Sequence, residues 1–114
     1  MLDMADLRWL KEKLDEMWEM WEETQESLKR EEERKLVKRR GKLTVATKMS
    51  NSECIVWITD GERLVGLRED EHSSDLSTLR DFLALVLGEG FTHPQLLELV
   101  EEEIEEMARE CAAR

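Results

Sequence analysis

The sequence predicts an α+β fold in a single domain, with the element order α-β-β-β-α-α. Three observations predict it. Residues 3–40 contain no glycine or proline and carry apolar residues at helical spacing. Residues 43–67 switch to short, β-branched, alternating runs. Residues 75–111 return to helical spacing, with one break at Gly88-Glu89-Gly90.

The first helix is expected over residues 3–40. Leu7, Leu10, Leu14, Met17, Trp21, Thr24 and Leu28 recur at steps of three and four. That is the seam of a heptad repeat. Trp9, Trp18 and Met20 widen the apolar surface. Asp3 or Asp6 can start the helix, and Gly41 after Lys38, Arg39 and Arg40 suits a helix C′ position. At 1.5 Å per residue such a helix is roughly 54 Å long and outreaches a domain with a radius of gyration near ~13 Å. Its surplus face therefore calls for another helix, either the C-terminal one or that of a second copy of the chain. The expected answer is a homodimer built on Leu7, Leu10, Leu14, Met17, Trp18, Trp21 and Leu28. Residues 1–28 carry net charge −6 and residues 29–42 carry +5. An antiparallel pairing lays one against the other, so it is favoured over a parallel one.

Three antiparallel strands are expected next. LTVATKM (43–49) alternates, Asn51-Ser52 turns, and ECIVWITD (53–60) is β-branched and aromatic. Asp60-Gly61 suits a type I′ hairpin turn, and RLVGL (63–67) returns. The middle strand is apolar on both faces, which predicts a cover on each. Ser74 or Asp75 then caps a helix burying Leu76, Leu79, Phe82, Leu83, Val86 and Leu87. The last helix opens on a Thr92–Gln95 capping box, a Phe91–Leu96 staple and Pro94 in its first turn. Leu97, Val100, Ile104, Met107 and Cys111 continue it.

Charge and composition bound the function. The chain has 114 residues, and 39% of them are charged against the ~25% usual in soluble domains. Two glutamines and one asparagine beside so much Glu, Lys and Arg match a thermophile-like composition. Cys54 and Cys111 stand alone, and MLDMADLRWL is acidic rather than a secretory leader. No apolar run reaches the ~20 residues of a membrane span. A cytoplasmic protein with reduced thiols and no membrane partner is expected.

The net charge is −11, yet residues 33–42 read ERKLVKRRGK. Arg30, Arg34, Lys35, Lys38, Arg39, Arg40 and Lys42 are candidate phosphate contacts, because a cationic stripe displaces counterions from a nucleic acid. The same residues have a structural explanation. Cations offset a helix dipole at its C-terminus, and Glu26–Arg30 and Glu31–Lys35 are favourable i,i+4 pairs. Trp57 could stack on a base, but no basic residue neighbours it in sequence.

Chemistry finds little support. His72, His93, Cys54 and Cys111 lack paired metal-ligand spacing, and Glu69, Asp70, Glu71 and His72 match no metal loop. The five glycines form no phosphate loop, no nucleophile motif is present, and nothing implies a cofactor. The expected function is a non-catalytic interaction or regulatory protein with an unidentified protein partner, acting through its dimer and a charged surface. A nucleic-acid-associated regulator using the basic run is the alternative. An acidic inhibitor that mimics nucleic acid is a third, since residues 53–114 alone carry −11.

Overall fold

The structure, a computed structural model, describes residues 2–26, 33–88 and 94–113, with side chains over 2–25, 33–88 and 94–106. The order is α1 (Met4–Glu26), β1 (Arg34–Arg40), β2 (Leu43–Met49), β3 (Cys54–Thr59), β4 (Leu64–Glu69), α2 (Asp75–Gly88) and α3 (Pro94–Ala113). The α+β class and the three helices match expectation. The sheet has four strands rather than three, in the antiparallel order β1-β2-β3-β4.

The extra strand comes from the second half of the expected long helix. Helix α1 ends at Glu26, and the basic run 34–40 pairs with β2 along its whole length, Arg34 with Met49 through Arg40 with Leu43. The physical reason lies in the seam. A helix continued past residue 28 would turn charged residues toward the core, with nothing apolar to bury. As a strand the same residues satisfy their backbone on β2, and pairing overrides helix propensity. Gly41 takes φ +57° at the first central position of the two-residue link between β1 and β2. A positive φ suits a helix C′ residue and this hairpin link equally. The Asp60-Gly61 hairpin forms, but as a four-residue link between Thr59 and Leu64, with positive φ at Gly61 alone. It is not the two-residue I′ turn. The Asp60 carboxylate instead accepts hydrogen bonds from the backbone N–H groups of Glu62 and Arg63, at 3.0 and 2.8 Å.

A reciprocal cap starts α1. Asp3 Oδ1 accepts from the N–H of Asp6 at 2.8 Å, and Asp6 Oδ2 accepts from that of Asp3 at 3.4 Å. The heptad seam is then buried inside the chain itself. Leu7, Leu10, Leu14 and Met17 have no exposed surface, and Trp21 has 5%. They join one cluster with Leu43, Val45, Met49, Val56, Ile58, Val65 and Leu67 of the sheet. Leu76, Leu79, Leu83 and Val86 of α2 and Leu97, Val100 and Ile104 of α3 complete it. Thr24, the polar member of the seam, is satisfied locally: its Oγ1 donates to the Met20 carbonyl at 2.8 Å. The antiparallel homodimer expected on residues 7–28 thus has no free apolar seam among the described residues; α2 and the sheet occupy it.

Helix α1 is held against α2 by a polar clasp. Arg80 donates to Asp15 Oδ1 through Nε (3.1 Å) and Nη2 (2.9 Å). Its guanidinium also lies 4.5 Å from the centre of the Trp18 ring. Trp18 meets Trp21 edge to face at 5.4 Å. Trp21 Nε1 donates to the Ser50 carbonyl at 2.9 Å, tying α1 to the turn after β2. Burial works against the Asp15 charge, but the hydrogen bonds from Lys11 and Arg80 outweigh it and hold its pKa below the ordinary value.

Leu28, Arg30, Phe91, Thr92 and His93 lie outside the described residues, as do the side chains of Met107 and Cys111.

Two outcomes follow from this core. Leu14→Ala should lower unfolding free energy by about 2–5 kcal/mol in denaturant titrations, whereas Leu99→Ala, at an exposed site, should stay within about 0.5. Glu69 is buried at the end of β4 and accepts from Ser77 N and Oγ, both at 3.4 Å. Burial, with Asp75 and Asp70 nearby, raises its pKa above the ordinary 4.5 against the pull of Ser77. The folded chain therefore holds this proton more tightly than the unfolded chain. The stabilisation is complete below the unfolded pKa and lost as pH rises through the folded one. Glu69→Gln should raise the thermal midpoint at pH 7, with the gain shrinking as pH falls below the folded pKa of Glu69.

Candidate functional site

The three helices cover one face of the sheet. On the other face no element packs among the described residues. Strand pairing fixes what that face carries. Side chains alternate, so residues opposite the buried ones share the open side. Lys35, Lys48, Ile55 and Arg68 form one row across the four strands. Val37, Ala46, Trp57 and Gly66 form the central row, and Arg39, Thr44, Thr59 and Leu64 the third. These twelve positions hold four bases and no acid. The middle strand's second apolar side, expected to be covered, meets no described element, and Ile55 and Trp57 on it are half-buried. Val37 is 51% and Leu64 66% exposed.

The central row is shaped by small residues. Trp57 sits between Ala46 on β2 and Gly66 on β4. A Cβ at Gly66 would stand 3.7 Å from Cδ1 and 3.8 Å from Nε1 of Trp57, so the indole leans over the bare backbone of β4. Its Nε1 donates to no group among the described residues.

The cations around it differ in freedom. Lys48 pairs with Glu33 at 3.2 Å. Arg68 lies 3.6 Å from Glu53 and 3.9 Å from Asp70. Lys35 and Arg39 meet no carboxylate within 4 Å among the described residues. The Lys48–Glu33 and Arg68–Glu53 pairs are exposed, where an ion pair contributes about 0–1 kcal/mol and exchanges readily for another anion.

The structure divides the expected phosphate contacts. On a helix they would share half the circumference; on β1 they split between two faces. Lys35 and Arg39 point to the open side. Arg34, Lys38 and Arg40 share the side of the core but remain exposed, with Arg40 paired to Asp6 at 3.1 Å. Lys42 is exposed in the turn. Lys48 and Arg68 were absent from that expected set, because strand pairing, not sequence proximity, brings them beside Trp57. The signal was present in the period of two: both share the parity of Thr44 and Gly66, opposite the buried positions of their strands.

Charge is sorted by layer. Residues 34–69 carry nine bases and four acids, whereas α1 carries eight acids and three bases. Helix α3 carries seven acids and one base. The acidic helices thus lie behind the sheet, and the open face looks away from them.

Other clusters are structural in character. Arg63 binds Asp60 at 3.0 Å and contacts Glu101 and Glu105, anchoring the β3–β4 link to α3. The N–H groups of Arg63 and Glu62 hold Asp60 well below the ordinary carboxylate range. Cys54 is fully buried beside Thr47 Oγ1, and burial pushes its thiol up to about 11. His72 is exposed on a loop, and no three His, Cys, Asp or Glu side chains gather as metal ligands among the described residues. No helix among them is long and apolar enough to cross a membrane. The chain matches no family model, no curated protein and no solved structure.

Proposed function

We propose that the chain is a non-catalytic binding module whose open sheet face, edged by the basic strand β1, carries a nucleic acid strand. One observation supports the reading above the others. In a chain of net charge −11, a twelve-position face holds four cations, no acid and a half-buried aromatic. Acidic α1 and α3 repel a polyanion from the opposite side and so orient it onto the sheet. The reading through a homodimer has less support, because most of the seam expected to form it is buried within the chain.

Fluorescence anisotropy with labelled single-stranded oligonucleotides tests the proposal. Affinity should fall with salt, with a log–log slope of about −1.5 to −3 for two to four phosphate contacts. Lys35→Glu with Arg39→Glu should weaken binding roughly tenfold or more at low salt. Arg34→Glu with Lys38→Glu makes the same charge change on the other side of β1 and should cost clearly less. No binding at 50 mM salt, or equal losses from the two pairs, would count against this face.

A further inference from the structure

Given a nucleic acid strand on this face, we infer that Trp57 is a stacking surface for an unpaired base, so that the module selects single strands over duplexes. Three observations carry this. The indole occupies the centre of the open face, with Ala46 and Gly66 as its cross-strand neighbours. Neither neighbour is tall enough to fence it, and Gly66 lets the ring lean across β4. Cations stand on two sides of it. Lys48 and Arg68 lie in the adjoining row on the strands beside β3, and Arg39 lies in the opposite row two strands away.

The spacings suit a single strand. Adjacent strands lie about 4.8 Å apart, and same-face positions on one strand about 6.7 Å apart. Lys48 and Arg68 are therefore about 8 Å from Trp57 at the backbone, and Arg39 about 12 Å. Long side chains close much of that distance. A phosphate on either side of a stacked base can thus be neutralised while the base lies on the indole. A duplex presents only phosphates and sugars at its rim, with its bases stacked inside, so it can use the cations but not Trp57. Stacking on an aromatic tolerates any base, so selectivity for the unpaired state comes without selectivity for sequence.

Three probes separate the contributions: a twelve-residue oligothymidylate, the same strand paired with oligoadenylate, and long-chain inorganic polyphosphate, at equal phosphate and salt. The single strand should bind roughly tenfold or more tighter than the other two. Trp57→Ala should cost the single strand a similar factor and leave polyphosphate within about twofold. Trp57→Phe, which keeps a ring, should retain single-strand affinity within about threefold. The oligothymidylate should quench tryptophan emission in the native chain but not in Trp57→Phe, where Trp9, Trp18 and Trp21 remain. Thermal unfolding of both variants checks that the fold is kept, and Trp57→Phe alone decides the case if Trp57→Ala melts early. Equal binding of all three probes, or quenching unchanged in Trp57→Phe, would overturn the stacking role and leave a polyanion surface standing. Absence of binding by every probe would overturn both.

Discussion

The register of β2 against β3 is the constraint on which the rest of the molecule depends. Thr47 faces Val56 and Ala46 faces Trp57. Because a strand's side chains alternate, a slip of one residue would exchange every inward residue for an outward one. Lys48 and Thr44 would be driven into the core, and Val45 and Met49 out of it. The register is held by the seven-residue pattern of β2, in which each alternate residue is buried. A side-chain bond from Thr47 Oγ1 to the Ile55 carbonyl at 3.0 Å crosses the same pair of strands. Helix positions, the open face and the rows on it all follow from this pairing.

Two consequences of the register reinforce one another. One side of the sheet receives the aliphatic residues and binds the helices through a single buried cluster. The other side receives four cations, Thr44, Thr59 and Trp57, interleaved with smaller or partly exposed apolar residues such as Ala46, Val37 and Leu64. The helices then bring their acidic residues to the outside of the opposite layer. Segregation of charge therefore needs no dedicated motif. It arises because the polar positions of a basic sheet and of acidic helices must each face water on their own side.

Much of this was legible from residue order. The spacing of Leu7, Leu10, Leu14, Met17 and Trp21 gave the buried stripe of α1, and Thr24 was recognisable as its polar member. The alternation in LTVATKM gave the two faces of β2. Leu76, Leu79, Leu83 and Val86 gave the inner side of α2. The basic run was the place where local rules failed. RKLVKRR has ordinary helix formers and a glycine after it, and both readings of that glycine require the same left-handed backbone. What decides between them is the availability of a neighbouring strand, which is a property of the fold rather than of the run. The open face is not legible in residue order for a related reason: Lys35, Lys48 and Arg68 are separated from Trp57 in sequence and stand beside its row only through three successive strand pairings.

Strand β1 is also one of the sheet's two edges, and no described strand pairs with its outer side. Such an edge invites a strand from another molecule. Here it carries Arg34, Lys35, Lys38, Arg39 and Arg40, all exposed, with Lys42 in the adjoining turn. Two copies approaching β1 to β1 would bring like charges together, which disfavours that pairing. Protection would thus come from the same side chains that the proposed nucleic acid site uses. Neutralising them, whether by substitution or by saturating counterions, uncovers a backbone template that the native charge keeps closed.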